Sequence, residues 1–110
     1  MRRCVTGGAL MAIACANPLL ADTRFQEFSY GCERGATVVA TYVNSESLSA
    51  VVLLVEGQTV ALTAGPTGSG VRYSAGPNDG YVWHTKGDEA VLFWQDAGEQ
   101  DTIYQSCLTR

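Results

Sequence analysis

Three side chains of this sequence could form a hydrolytic triad, namely Ser69, His84 and Asp88. Such a triad needs a hydroxyl nucleophile, a histidine that takes its proton and a carboxylate that orients the histidine. The serine lies in Gly68-Ser69-Gly70, and no strand-to-helix turn precedes it to expose a nucleophile. We therefore predict no catalytic residue and no enzymatic activity. A small hydrolase that uses Ser69 and His84 is kept as an alternative hypothesis.

Acid–base pairs and metal ligands are also poorly supported. Asp88 and Glu89 are neighbours in a predicted turn, where adjacent side chains point apart and cannot act as a pair on one substrate. Cys32, Cys107 and His84 lack the paired spacing of a metal site. The sequence therefore predicts neither a bound metal nor a cofactor.

The amino-terminal segment has the features of an export signal. Two of the first three residues are arginines, residues 4–16 carry no charge, and Ala21 provides a small residue at a cleavage point. The segment is shorter than the roughly 20 apolar residues that span a bilayer. We predict a signal peptide at residues 1–21, a single domain at residues 22–110 and a periplasmic location. A buried amino-terminal helix is the alternative.

A second processing route is compatible with the same segment. Ala12-Ile13-Ala14-Cys15 loosely matches a bacterial lipobox, in which the cysteine is lipidated and becomes the new amino terminus. In that case the protein would be an outer-membrane lipoprotein anchored through Cys15. Contact with a membrane is expected only if this lipidation occurs.

Removal of the leader changes the charge and cysteine counts of the chain. The predicted domain keeps five basic and all 11 acidic residues, so its formal net charge is −6. This balance disfavours nucleic acid as a partner, because phosphate binding needs clustered Lys and Arg. Two cysteines are left, Cys32 and Cys107, and an even pair in an exported chain predicts a disulfide. Closing that long loop is worth on the order of 4 kcal/mol.

The rest of the chain reads as seven or eight short strands, spaced about ten residues apart, with no helical period. This pattern is typical of an antiparallel sandwich or a small barrel. Glycine- and proline-rich loops at 64–70 and 74–80 flank one very short strand, and such loops often carry function. The run at 49–55 is apolar on both faces, which favours a covering layer outside or a self-association surface, and homodimer formation stays open. The runs cover residues 28–32, 37–43, 49–55, 59–63, 71–73, 81–85, 90–94 and 102–107.

Four short motifs occur in an order typical of one family. They are Tyr30-Gly31-Cys32, Ser69-Gly70-Val71-Arg72-Tyr73, Trp83 followed by Lys86-Gly87 with an acidic residue and Ala90 soon after, and the late Cys107. Over about residues 28–108 the sequence resembles the bacterial inhibitors of C-type lysozyme, membrane-bound (MliC) or periplasmic (PliC). Two details depart from the family pattern: 17 positions separate Ser69 from Lys86, and His84 directly follows the tryptophan.

The resemblance implies an eight-stranded antiparallel barrel, closed here by one disulfide, that blocks the active-site cleft of C-type lysozyme. In the family the motif serine and the motif lysine engage the two catalytic carboxyl groups of lysozyme. Carried over by motif, this serine and this lysine are Ser69 and Lys86. Gly70 and Tyr73 complete the predicted lysozyme-binding set. C-type lysozymes are typically basic, so the acidic domain would suit this partner.

The chemistry of these residue types agrees with the implied role. A hydroxyl both donates and accepts, so Ser69 can bond a carboxyl group in either protonation state. The Lys86 ammonium can form a charge-assisted bond to a carboxylate. The alternative from a different class is a small exported barrel that binds an apolar ligand or stabilises the cell envelope.

Overall fold

A computed structural model describes residues 23–77 and 79–110 of the chain. The predicted signal peptide at 1–21 and the candidate lipidation site Cys15 lie outside these residues. In the described part, eight strands follow one another, with a short 3₁₀ turn at Glu33–Gly35 after the first. The strands are β1 (Arg24–Gly31), β2 (Thr37–Asn44), β3 (Ser49–Val55), β4 (Gln58–Gly65), β5 (Val71–Ser74), β6 (Gly80–Lys86), β7 (Glu89–Asp96) and β8 (Glu99–Thr109).

Each strand pairs with its sequence neighbour, and the first pairs with the last to form a closed antiparallel barrel. The closing seam is short: Tyr30 lies opposite Thr109, Gly31 lies opposite Leu108, and the Arg110 backbone N–H donates to the Ser29 carbonyl at 3.0 Å. Closure removes the free edges that an open sheet would expose. The prediction of an eight-stranded antiparallel barrel is confirmed, and the sandwich alternative is wrong.

The barrel interior is filled by side chains that alternate along the strands. Trp83, Leu53 and Leu92 are completely buried, together with valines from β2 and β3. Eight strands leave an interior just wide enough for side chains to fill. The polar atoms among them are paired: the Trp83 Nε1 atom donates to the Tyr42 hydroxyl at 2.9 Å, and that hydroxyl lies 2.7 Å from the Tyr30 hydroxyl. These bonds offset the cost of burying polar groups.

The disulfide between Cys32 and Cys107 is confirmed, with an S–S distance of 2.02 Å. Cys32 directly follows β1 and Cys107 lies in β8, so the bridge joins the two strands of the closing seam. Because β1 and β8 share only two residue pairs, the bridge beside them is a direct support of barrel closure.

All strands except β3 are longer than the runs that the sequence pattern predicts, as β1 and β8 illustrate. β1 begins at Arg24 rather than at residue 28 and ends at Gly31, before Cys32. β8 runs over Glu99–Thr109 rather than 102–107. The extra residues are mostly polar and exposed, so they show no alternation of apolar residues. They join the barrel through backbone pairing, as where Arg24 faces Asn44.

The outer face of β3 is partly open to solvent. Leu54 points outward and is 51% exposed, while the inward-facing Leu53 is fully buried. The described part of the chain therefore provides no layer that covers Leu54, and self-association through this face stays a prediction. No helix among residues 23–77 and 79–110 is long and apolar enough to cross a membrane.

Candidate functional site

The β5–β6 hairpin places the two sequence motifs at one end of the barrel. Val71 at the start of β5 pairs with Thr85 near the end of β6, so the loop at 66–70 and the Lys86 end of β6 are adjacent. The turn at 45–48 belongs to the same end. β3 runs antiparallel to both β2 and β4, so β2 and β4 end on the same side of the barrel. We call this end of the barrel the motif end.

The second glycine-rich loop lies at the opposite end. It connects β5 to β6, and the four residues of β5 span about 13 Å between the two loops. In the sequence both glycine-rich loops are candidate functional regions, but the strand β5 separates them. The lengthened segment at 74–80 therefore adds no residue to the motif end.

Gly70 adopts a backbone conformation that favours glycine. Its φ angle is +70°, and a Cβ atom built there would overlap the carbonyl oxygen of Thr85. A side chain at this position would carry the strain of left-handed backbone and also clash with β6. The glycine thus allows the 66–70 loop to pass close to the neighbouring strand.

The backbone of Ser69 is anchored to β6. The Nε2 atom of His84 lies 2.9 Å from the Ser69 carbonyl oxygen, and the Thr67 hydroxyl lies 3.4 Å from the same oxygen. A carbonyl only accepts, so the His84 Nε2 atom carries the hydrogen. Neither bond uses the Ser69 hydroxyl, which is left for a partner. This geometry is not that of a nucleophile and its base, because His84 bonds the backbone of Ser69.

Lys86 is exposed at the end of β6, directly opposite Glu89 on β7. Within residues 23–77 and 79–110, no carboxylate lies within 4.0 Å of its ammonium group. Beside it lies a shallow groove of about 260 Å³, lined by His84, Lys86, Glu89, Ala90 and Val91. The lysine therefore offers an uncompensated positive charge on an otherwise acidic domain.

Tyr73 lies inside the barrel and not on its surface. It is 5% exposed, pairs with Trp83 across the hairpin and lies 5.7 Å from Tyr42, measured between ring centroids. Burial raises the pKa of its hydroxyl. In this position the tyrosine anchors the base of β5, which carries the 66–70 loop.

A further hollow at the motif end was not foreseen from the sequence. It measures about 210 Å³ and is lined by residues of β1, β2, β6, β8 and the β6–β7 turn, including Phe28, Tyr42, Thr85 and Asp88. The Thr109 backbone N–H donates to the Asp88 carbonyl at 3.2 Å and ties the β6–β7 turn to β8. No local signal marks this hollow, because its walls meet only when the barrel closes.

Metal binding gains no support from the geometry. In the part of the chain that the structure describes, no three His, Cys, Asp or Glu side chains are grouped in a way that could hold a metal ion.

Comparisons with known proteins agree with the fold. Among solved structures, the chain is similar to PliC-St, a periplasmic lysozyme inhibitor of C-type lysozyme from Salmonella typhimurium, at 19% identity over 79% of this chain and 99% of that chain, with a TM-score of 0.66. It is also similar to Pseudomonas aeruginosa MliC, solved in complex with hen egg white lysozyme, at 25% identity over 96% of this chain and 98% of that chain, with a TM-score of 0.62. A comparison with curated proteins returned no match.

Family models give the decisive match. The model described as membrane-bound lysozyme-inhibitor of c-type lysozyme, MliC, matches residues 30–101. That range includes Cys32, the Ser69 motif and the Lys86 motif, and it covers more than half of the 110 residues. The resemblance seen in the sequence is confirmed: this chain belongs to the MliC family of lysozyme inhibitors.

Proposed function

We propose that this protein inhibits C-type lysozyme by filling the active-site cleft of the enzyme, without any catalysis of its own. The observation that carries this proposal is that the 66–70 loop, which holds Ser69, and the Lys86 end of β6 share the motif end, because Val71 pairs with Thr85. Family membership supports the activity, and the P. aeruginosa relative was solved in complex with hen egg white lysozyme.

The side chains at the motif end suit a cleft with two carboxyl groups. A retaining glycosidase holds one carboxylic acid and one carboxylate about 5 Å apart. The Ser69 hydroxyl can donate to a carboxylate or accept from a carboxylic acid, and the unpaired Lys86 ammonium can bond the ionised group. Gly70 would let the loop enter a narrow cleft, while Tyr73 would support it from inside the barrel.

Charge supports a basic protein as the partner. The predicted domain has a formal net charge of −6, and opposite net charges speed and orient encounter more than they tighten the final complex. Lys86 carries a positive charge on a domain whose net charge is negative. This exception agrees with a position opposite a carboxylate of the partner.

The cell envelope is the proposed location. It rests on the predicted leader at residues 1–21, with release at Ala21 into the periplasm or lipidation at Cys15 as the two routes. The intact mass of the protein purified from the envelope distinguishes them. A chain that begins at Asp22 indicates release, and a chain that begins at a lipid-modified Cys15 indicates an anchor.

The direct test is a lysis assay. Lysis of a cell-wall suspension by hen egg white lysozyme is measured with and without the domain of residues 22–110, carrying its disulfide. We expect lysis to stop at micromolar or lower inhibitor. Undiminished lysis at micromolar excess would contradict the proposal, and a Ser69→Ala/Lys86→Ala double variant with an unchanged circular dichroism spectrum is the matched control.

The alternative functions have their own readouts. A barrel that stores an apolar ligand needs interior space, whereas Trp83, Leu53 and Leu92 occupy the interior here. We therefore expect no binding of a fluorescent hydrophobic probe. A hydrolase would cleave generic esters and lose that activity on His84→Ala, and we expect neither result.

A further inference from the structure

We propose that His84 is a positioning residue, which holds the 66–70 loop in the conformation that enters the partner. This inference rests on the proposed function and adds a role for a residue at which the sequence departs from the family pattern. It starts from the hydrogen bond between the His84 Nε2 atom and the Ser69 carbonyl oxygen, 2.9 Å long and spanning 15 positions of the chain.

The histidine is well placed to act as a fixed point. It lies in the middle of β6, paired on one side with Arg72 of β5 and on the other with Val91 of β7. Its backbone therefore belongs to the hydrogen-bonded sheet, and only its ring reaches the loop. The bond therefore holds the backbone of Ser69 against an ordered strand of the sheet.

The loop needs such an anchor because the bond from its own Thr67 hydroxyl is long, at 3.4 Å, and the loop is rich in glycine. It reads Pro66-Thr67-Gly68-Ser69-Gly70, and glycines give the backbone many conformations in the free state. Ordering these residues on binding would weaken the complex, whereas a loop that is already ordered avoids that cost. Two donors, the His84 ring and the Thr67 hydroxyl, meet at the Ser69 carbonyl.

The hydrogen bond between His84 and Ser69 also depends on the absence of a side chain at position 70. A Cβ built on Gly70 would lie 3.3 Å from the His84 Nε2 atom, and it would overlap the Thr85 carbonyl. The glycine leaves the imidazole room to reach Ser69. Gly70 and His84 thus both act where the loop passes β6: the glycine makes room for the ring, and the ring bonds the loop.

The experiment measures loop order and inhibition separately. Heteronuclear ¹H–¹⁵N NOE values at Gly68, Ser69 and Gly70 report loop order in the free domain, and the lysis assay gives the inhibition constant. For His84→Ala we expect lower NOE values at these three amides and an inhibition constant raised about three- to tenfold, as for one lost hydrogen bond. His84→Gln, whose amide can donate to the same carbonyl, should recover most of both losses.

Two results would overturn the proposal. Unchanged NOE values in His84→Ala would mean that the ring does not order the loop. Lower NOE values with an unchanged inhibition constant would mean that loop order does not serve inhibition. Thr59→Ala, an exposed change on β4, is the control and should alter neither quantity.

Failure of the proposed function gives a different result. If the unmodified domain does not inhibit lysozyme, the inhibition proposal falls, together with the part of this inference that depends on it. The NOE comparison still decides whether His84 orders the loop, because it needs no lysozyme.

Discussion

The backbone of Gly70 packs directly against the carbonyl oxygen of Thr85, at the point where the two strands of the β5–β6 hairpin separate. The contact is possible because position 70 has no Cβ atom and takes a φ angle of +70°. The path of the 66–70 loop past β6 therefore depends on this one glycine.

Gly70→Ala should destabilise the domain and disturb the loop. We expect the free energy of unfolding to fall by about 1–3 kcal/mol, because the alanine adds both left-handed strain and a clash with the Thr85 carbonyl. The inhibition constant should rise as well. Urea unfolding followed by tryptophan fluorescence and the lysis assay give the two quantities.

Gly76→Ala is the matched control for this change. Gly76 also has a positive φ, +80°, but a Cβ built there meets nothing within 4 Å, and it lies at the opposite end of the barrel. This variant should lose less stability than Gly70→Ala and inhibit normally. Equal losses in both variants would show that the contact with Thr85 has no special role.

Ser69→Ala and Lys86→Ala should each weaken inhibition while the fold stays intact. Removing the Lys86 charge from a desolvated pair typically costs about 2–5 kcal/mol of binding free energy. Removing the Ser69 hydroxyl should cost less, about 1–3 kcal/mol, as for a hydrogen bond whose partner is left unsatisfied. Inhibition constants from the lysis assay provide the test.

The control for this pair removes a positive charge from another part of the barrel. Arg34 lies in the β1–β2 connection, so Arg34→Gln keeps the motif end unchanged. It should alter the inhibition constant far less than Lys86→Ala. An inhibition constant insensitive to both Ser69 and Lys86 would reject these two residues as the binding site.

Much of the fold follows from local patterns in the sequence. The run at 49–55 matches β3, and the β-branched run at 37–43 matches β2 to within one residue. Alternation of apolar residues reports burial, so it predicts strands whose inner face is buried. It cannot find the first residues of β1, where Arg24 and its neighbours pair with β2 although their side chains are exposed.

The site is less predictable than the fold, for a physical reason. The motifs identify Ser69 and Lys86 as residues, but their placement at the same end of the barrel comes from the register between Val71 and Thr85. The bond from His84 to the Ser69 carbonyl has no sequence signal either, because a lone histidine on a strand most often points to solvent. Contacts across the barrel depend on closure, which no local pattern encodes.

The disulfide should supply a large share of the stability of the domain. A Cys32→Ala/Cys107→Ala variant should lose about 4 kcal/mol of unfolding free energy, because the bridge closes a loop of 75 residues in the unfolded chain. The loss is measured by urea unfolding at neutral pH. The unmodified protein in excess reductant should show a similar loss, and a change below about 1 kcal/mol would contradict this role.

Tyr81 and Glu56 form a contact that should be visible at high pH. The Tyr81 hydroxyl donates to the Glu56 Oε1 atom at 2.7 Å and links β6 to the β3–β4 turn. This hydrogen bond, with burial and the negative charge of Glu56 as smaller causes, raises the pKa of Tyr81 to about 12. The folded protein therefore holds this proton more tightly than the unfolded chain, in which tyrosine titrates near its ordinary value of about 10.

The sign of the pH dependence follows from this difference. Below about pH 10 both states are protonated at Tyr81, and the hydrogen bond contributes fully to stability. Between about pH 10 and 12 the unfolded chain releases the proton first, so the free energy of unfolding should fall as pH rises.

Tyr81→Phe should start from a lower stability at pH 8 and show a shallower decline across that window. Glu56→Gln, which keeps an acceptor but removes the charge, should fall between the two in urea unfolding from pH 8 to 12. A Tyr81→Phe variant that declines as steeply as the parent protein would show that this pair does not control alkaline stability.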